Sequence, residues 1–258
     1  MMDLDNHGLL TLFVVVLIAI FGAGEIGRLL GRRAVGRGGG DVSTLEGATL
    51  GLLALMIGFT FAMALSRFEA RRDAVVDEAN AIGTTALRAR LLPEPHRSEA
   101  LKLLKEYANV RLEVTQSALN ASVLKNAIAH SNQIQETLWR NTISVAAVNA
   151  AIVPTGVFIQ SLNEMIDSQA KRLAAVQNRV PNIVFLALYG VAVVAFALVG
   201  YANGLEKRRV RFPTYLMGAI VASVILLVQD LDRPTAGFIS VSQQPMIDTV
   251  ASMAGYSD

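Results

Sequence analysis

The residues of this chain with chemical reach are few, and the most suggestive group is Gly22-Ala-Gly24-Glu-Ile-Gly27, with Glu46 beyond it. In a dinucleotide fold, a G-x-G-x-x-G of this kind makes a tight turn, brings a pyrophosphate to a helix N-terminus and is followed by an acid for the ribose. Such a turn needs a short strand before it, and the apolar run before Gly22 is roughly three times too long. The element after it is of membrane length, so these glycines read as small residues packing between membrane helices. Gly36 to Asp41 is no phosphate loop, because no Gly-Lys-Ser/Thr follows. His7, His96 and His130 are far apart and make no metal-ligand pair at helical spacing; His96, among prolines and an arginine, reads as a solvated loop imidazole. Without a single cysteine there is no disulfide, thiolate zinc site or Cys nucleophile. No Ser/His/Asp set emerges, and nothing points to an enzyme, a cofactor or a metal.

The remaining chemistry belongs to one helix and to the ends of others. Leu45 to Leu65 is long enough to cross a ~30 Å hydrocarbon core. Arg67, Arg71 and Arg72 follow it without an intervening proline, so the same helix is expected to leave the membrane and continue into water. Within it, Ala54, Gly58 and Ala62 recur every four residues, a row that lets a neighbouring helix approach closely, and Gly51, Leu55 and Phe59 form a second row. Asp230 and Asp232 close the last apolar block, where a carboxylate opposes the helix dipole. Span counting puts the ends of the second and fourth spans on one face, so Arg67 and Arg71 are candidate interfacial ion-pair partners for Asp230 and Asp232.

These elements set the architecture. The chain of 258 residues is 53% hydrophobic and 17% charged, well below the ~25% charged of soluble domains. The apolar excess lies in four blocks, Gly8 to Gly24, Leu45 to Leu65, Asn182 to Asn203 and Phe212 to Leu231, and predicts four transmembrane helices. The leader MMDLDNH is acidic where a signal peptide is basic, so the first block reads as a retained helix. The fold class expected is an all-α integral membrane protein with an inserted helical domain. It divides into 8–66 (spans one and two), 67–180 (extramembrane helices), 182–231 (spans three and four) and 232–258 (tail). Arg28, Arg32, Arg33 and Arg37 in the first connection, and Lys207, Arg208, Arg209 and Arg211 in the last, favour the cytoplasm. Both termini and the inserted domain then face outward from a bacterial inner membrane. Because the arginines sit beside apolar blocks, a nucleic-acid partner is not expected.

Residues 67–180 read as helical, with no alternating strand pattern. Phe59 to Leu92 allows a helix of about 45 residues counted from within the membrane, ended by Pro93 and Pro95. A second helix from Ser98 carries Leu101, Leu104, Ala108 and Leu112 on one face. Asn120 to Gln133 is expected to turn, and a third helix to run from Ile134 to Ile152. Pro154 and Gly156 are expected to break it, with a fourth showing Ile159, Leu162, Ile166, Ala170 and Leu173 up to Pro181. Arg37-Gly-Gly-Gly-Asp41 reads as a flexible loop.

Ile57-Gly-Phe-Thr-Phe-Ala-Met-Ala-Leu-Ser-Arg67-Phe-Glu-Ala-Arg-Arg72, then Glu78-Ala-Asn-Ala-Ile-Gly83, resembles the bestrophin-like bacterial membrane proteins. Leu91-Leu-Pro-Glu-Pro95, the Tyr107 to Arg111 helix and Leu231-Asp-Arg-Pro234 with Gly237, Val241-Ser242 and Pro245 extend the resemblance from about Leu45 to Pro245. Bestrophins are pentameric anion channels whose second helix lines a hydrophobic neck. By that resemblance Gly51, Leu55 and Phe59 fall at neck positions, Arg67-Phe68 at an arginine-aromatic pair, and Asp232, Pro234 and Gly237 after the last span. It implies a homo-oligomeric pore for small anions with a constriction on the second helix, and a cytosolic middle region where the basic connections imply an outward one. The alternative is a non-conducting membrane-anchored scaffold or sensor whose extramembrane helices bind a partner.

Overall fold

The structure is a computed structural model of the chain and describes residues 8–35, 42–116, 121–148, 152–206, 211–234 and 237–256. Among the described residues there are eight helices and no strand: α1 Leu9–Ala34, α2 Ser43–Ala89, α3 His96–Gln116, α4 Ala121–Val148, α5 Ile152–Gln177, α6 Asn182–Leu205, α7 Arg211–Asp232 and α8 Gln244–Ala254. The protein is a multi-pass, all-α membrane protein. The four apolar blocks fall in α1, α2, α6 and α7, the long apolar helices expected, which satisfy their own backbone where no water can.

Boundaries moved where polar residues turned out to be structural. α1 runs 26 residues and carries Arg28, Arg32 and Arg33 in its last turns, so these arginines are helical rather than part of a loop. Arg37 to Asp41, Lys207 to Arg209 and His7 lie outside the described residues. Of the turn expected over Asn120 to Gln133, the described residues from Ala121 on are instead the first half of α4. No glycine or proline interrupts it, and its buried stripe of Ser131, Ile134, Gln135, Leu138, Thr142 and Val145 is half polar. That composition hides a helical period from a hydropathy reading. Pro154 and Gly156 do not end a helix but lie near the start of α5, where proline costs no hydrogen bond.

The chain divides into two compact units. The first takes in Met1–Phe68, Arg179–Arg233 and Gly237–Ile239; the second takes in Glu69–Asn178, Pro234–Ala236 and Ser240–Asp258. In the first unit α1 and α6 touch backbone to backbone. A Cβ built on Gly27 or Gly31 of α1 would run into the carbonyls of Ala197 or Tyr201, and one on Gly200 or Gly204 of α6 into those of Gly24 or Arg28. Gly24 and Gly27 of the G-x-G-x-x-G run thus face a helix seam, as small-residue packing between membrane helices predicts, whereas Gly22 is exposed and a Cβ on it would meet nothing within 4 Å. Around the seam Ile20, Leu53, Leu188, Phe196 and Ile225 are buried together.

In the second unit the lower half of α2 packs with α3, α4, α5 and α8 around Ile82, Leu104, Leu138, Leu162 and Met165. Leu101, Leu104 and Ala108 form the buried face expected for α3. α8 joins this core through Met246 and Met253, both essentially inaccessible. On α5 the buried face is Phe158, Leu162, Met165, Gln169 and Arg172, one step round from the stripe expected, and Ala170 is exposed.

Candidate pore helix and buried charge cluster

α2 has two opposite characters in its membrane half. Leu53, Thr60 and Ala64 are buried within the chain at 2%, 2% and 0% exposure. Leu55 and Phe59, on the other side, are 53% and 64% exposed, and a Cβ on Gly51 or Gly58 would meet nothing within 4 Å. Ala54 and Ala62 are exposed as well. At 3.6 residues per turn, Ala54, Gly58, Ala62, Gly51, Leu55 and Phe59 occupy one arc of about 140°. The two rows are therefore neighbouring strips of a single face left open by the chain's own helices. Thr60 returns its hydroxyl to the Met56 carbonyl at 2.8 Å, so the buried side carries no unsatisfied polar atom there.

Where the membrane helices end, the acids take backbone partners. The Phe238 and Ile239 N–H groups donate to Asp230 Oδ1 and Oδ2 at 2.7 and 2.9 Å, and the Val180 N–H donates to Asp232 Oδ1 at 2.9 Å. Asp230 and Asp232 are 3% and 6% exposed. Charge-assisted bonds of this kind offset the cost of placing carboxylates at the C-terminus of α7, and Asp232 ties that end to the residues leading into α6. Gly237 is glycine because a Cβ there would enter the Asp230 carboxylate. Arg67 is half-buried, with Nη1 donating to the Met63 carbonyl at 3.4 Å, and Arg71 in the second unit is 4% exposed.

The second unit also holds a group that sequence reasoning missed. Glu78 of α2 is fully buried; its Oε1 accepts from Arg111 Nε of α3 at 2.5 Å and its Oε2 from Arg172 Nη1 of α5. Arg172 Nη2 continues to Gln243 Oε1 at 3.0 Å. Next to it, the Tyr107 hydroxyl donates to Gln169 Oε1 at 2.8 Å, which also accepts from Gln135 Nε2 at 2.8 Å, while Gln169 Nε2 donates to Asn132 Oδ1 at 2.9 Å. Burial first, and the Glu78 charge second, push the Tyr107 phenol above its usual range, so it stays a neutral donor. The available signal was Glu78 lying at helical spacing among Val75, Ala79 and Ile82, and Tyr107 and Arg111 a turn apart on α3. The arrangement locks α2, α3 and α5 together; with Arg111 Nη1 buried and without an acceptor it is not fully satisfied, but its closed burial is that of a structural clasp rather than an open reaction centre.

A family model described as the Bestrophin-like domain matches residues 13–246. No curated protein matches the chain. Among solved structures it is similar to a bacterial bestrophin homologue from Klebsiella pneumoniae phased by Zn-SAD, at 14% identity and TM-score 0.69, covering 96% of this chain and 99% of that one. A single-substitution variant of the Klebsiella pneumoniae homologue aligns at 15% identity and TM-score 0.70, covering 96% of each chain. A structure described as a membrane protein aligns at 14% identity and TM-score 0.69, covering 97% of this chain and all of that one. At such identities the likeness is one of fold.

Proposed function

The chain belongs to the bestrophin-like domain family, and from that premise we propose that it is a homo-oligomeric membrane pore for small anions, not an enzyme, with its constriction on α2. The observation that carries this reading is the open face of α2. A helix whose opposite side is buried by its own subunit leaves Gly51, Leu55 and Phe59 for a surface that the single chain does not supply. Ala54, Gly58 and Ala62 beside them permit the close helix approach that a ring of copies needs. Lipid alone asks for no such small strip. Leu55 and Phe59, brought round an axis, form an apolar ring that gates by dewetting, whereas Gly51 leaves the ring wide at its own level.

At the end of the second span, Arg67 is proposed as the charge partner of Asp232, since its Nε is buried without a hydrogen-bond acceptor. Exposed Arg32, Arg33 and Arg211 at the ends of α1 and α7 favour the cytoplasmic face of the inner membrane, which places the helical domain outside. A reporter enzyme active only after export, fused beyond Asp258, tests this: activity supports the outward domain, and silence with a well-expressed fusion assigns the inward one.

Planar-bilayer recording of purified protein tests the function. Anion-selective current that grows in Phe59→Ala supports the pore. Silent bilayers for both proteins reject it in favour of a non-conducting scaffold whose extramembrane helices engage a partner.

A further inference from the structure

We propose that the recess between α1, α6 and α7 is a binding site for a phosphate oxyanion. Its volume is about 370 Å³ counting the open mouth, and its polar wall is formed by Glu25, Arg28, Asn203, Arg211, Thr214 and Tyr215.

The unsatisfied group in this wall is Arg28. It is 7% exposed, and its Nε is buried with no hydrogen-bond partner. Its Nη1 stands 3.6 Å from Glu25 Oε1, the oxygen that the Tyr215 hydroxyl already engages at 2.5 Å. Glu25 is thus divided between a phenol and a distant guanidinium. Two guanidiniums, Arg28 and Arg211, face one carboxylate, so the recess carries a net positive charge. Asn203 Nδ2 donates to Thr214 Oγ1 at 3.3 Å, holding a hydroxyl at the same rim. A buried charged donor without an acceptor is costly, and an oxyanion supplies acceptors in the geometry that arginine favours.

The order of the walls distinguishes between two sources of phosphate. Ile20, Phe21 and Phe196 line the same recess, so an apolar wall adjoins the charged one near the end of three membrane helices, as glycerol and acyl chains adjoin a phosphodiester. Lys207, Arg208 and Arg209 lie two to four residues before Arg211 in the chain, and basic pockets between membrane helices bind anionic lipid headgroups. An anionic phospholipid is therefore the occupant, with free phosphate as the competing source of the same chemistry. This site is independent of conduction through α2.

The test uses the full chain, purified in detergent, delipidated and titrated with phosphatidylglycerol, with diacylglycerol of the same acyl chains and with inorganic phosphate. Bound species are counted by native mass spectrometry. Phosphatidylglycerol is expected to be retained over diacylglycerol, with Arg211→Gln and Arg28→Gln each weakening it about fivefold and Arg32→Gln, exposed on the same helix end, leaving it intact. Arg211 lies at the exposed start of α7, so its variant decides the matter if Arg28→Gln fails to fold. Competition by inorganic phosphate assigns the site to free phosphate as well, and its absence assigns it to the lipid. Equal retention of diacylglycerol, unchanged binding in Arg211→Gln, or an equal loss in Arg32→Gln would overturn the proposal.

Discussion

Glu78 Oε1 on α2 accepts a hydrogen bond from Arg111 Nε on α3 at 2.5 Å, with both side chains shut away from solvent. Because Arg172 holds the other carboxylate oxygen, one acid bridges two guanidiniums from different helices. Removing one partner of a buried ion pair strands the others, at a cost of about 3–5 kcal/mol. Glu78→Gln keeps the shape and loses the charge, so it should destabilise detergent-solubilised protein by that order, seen as a lowered thermal unfolding temperature. A melting curve matching the wild type would show that the cluster carries no net stability.

The seam between α1 and α6 makes a second prediction. Gly27→Ala and Gly200→Ala each place a methyl group where the opposing backbone already sits, and overpacking of this kind costs about 1–3 kcal/mol. Gly51→Ala adds the same methyl group where nothing lies within 4 Å and should leave subunit stability unchanged. Thermal melts of the three variants check this; equal effects at all three positions would contradict the seam.

The start of α3 has a pH signature. Glu94 Oε2 accepts from the Ser98 hydroxyl at 2.8 Å and from the Ser98 N–H at 3.3 Å, and the hydroxyl is the main cause of a Glu94 pKa below the ordinary carboxylate range. A depressed folded-state pKa contributes stability that is present above the unfolded value and lost as pH falls through the folded one. Ser98→Ala should therefore reduce stability at neutral pH and narrow the gap to wild type in acid. Melting temperatures from neutral to acidic pH check the sign, and a gap that widens in acid would refute it.

How much of this is legible in the sequence depends on what each helix buries. The membrane spans are plain because a bilayer demands long apolar runs, and α2 is plain because no proline interrupts it before Pro93. α4 is hidden because Ser131, Gln135 and Thr142 occupy its core side, where hydropathy expects leucines. The α5 face is read one step off for the same reason: Gln169 and Arg172 are inside, serving Tyr107 and Glu78. Asp230 and Asp232 stand out as misplaced acids at a helix end, and the backbone N–H groups that donate to them are partners that no side-chain pattern can reveal. Gly24 and Gly27 of α1 are legible as packing residues, whereas Gly22 is open and the partner Gly200 is identified only when the two helices are seen together.

The central claim is that the open face of α2 lines a water-filled pore, and thiol accessibility tests it most directly. The chain contains no cysteine, so Phe59→Cys and Ile18→Cys each introduce a single thiol, at positions 64% and 66% exposed in the subunit. During bilayer recording, a charged water-soluble thiol reagent should modify Phe59→Cys and change its current while leaving Ile18→Cys, on the exposed side of α1, untouched. Equal reaction at the two positions, or modification of Phe59→Cys with no change in current, would contradict a pore-lining α2.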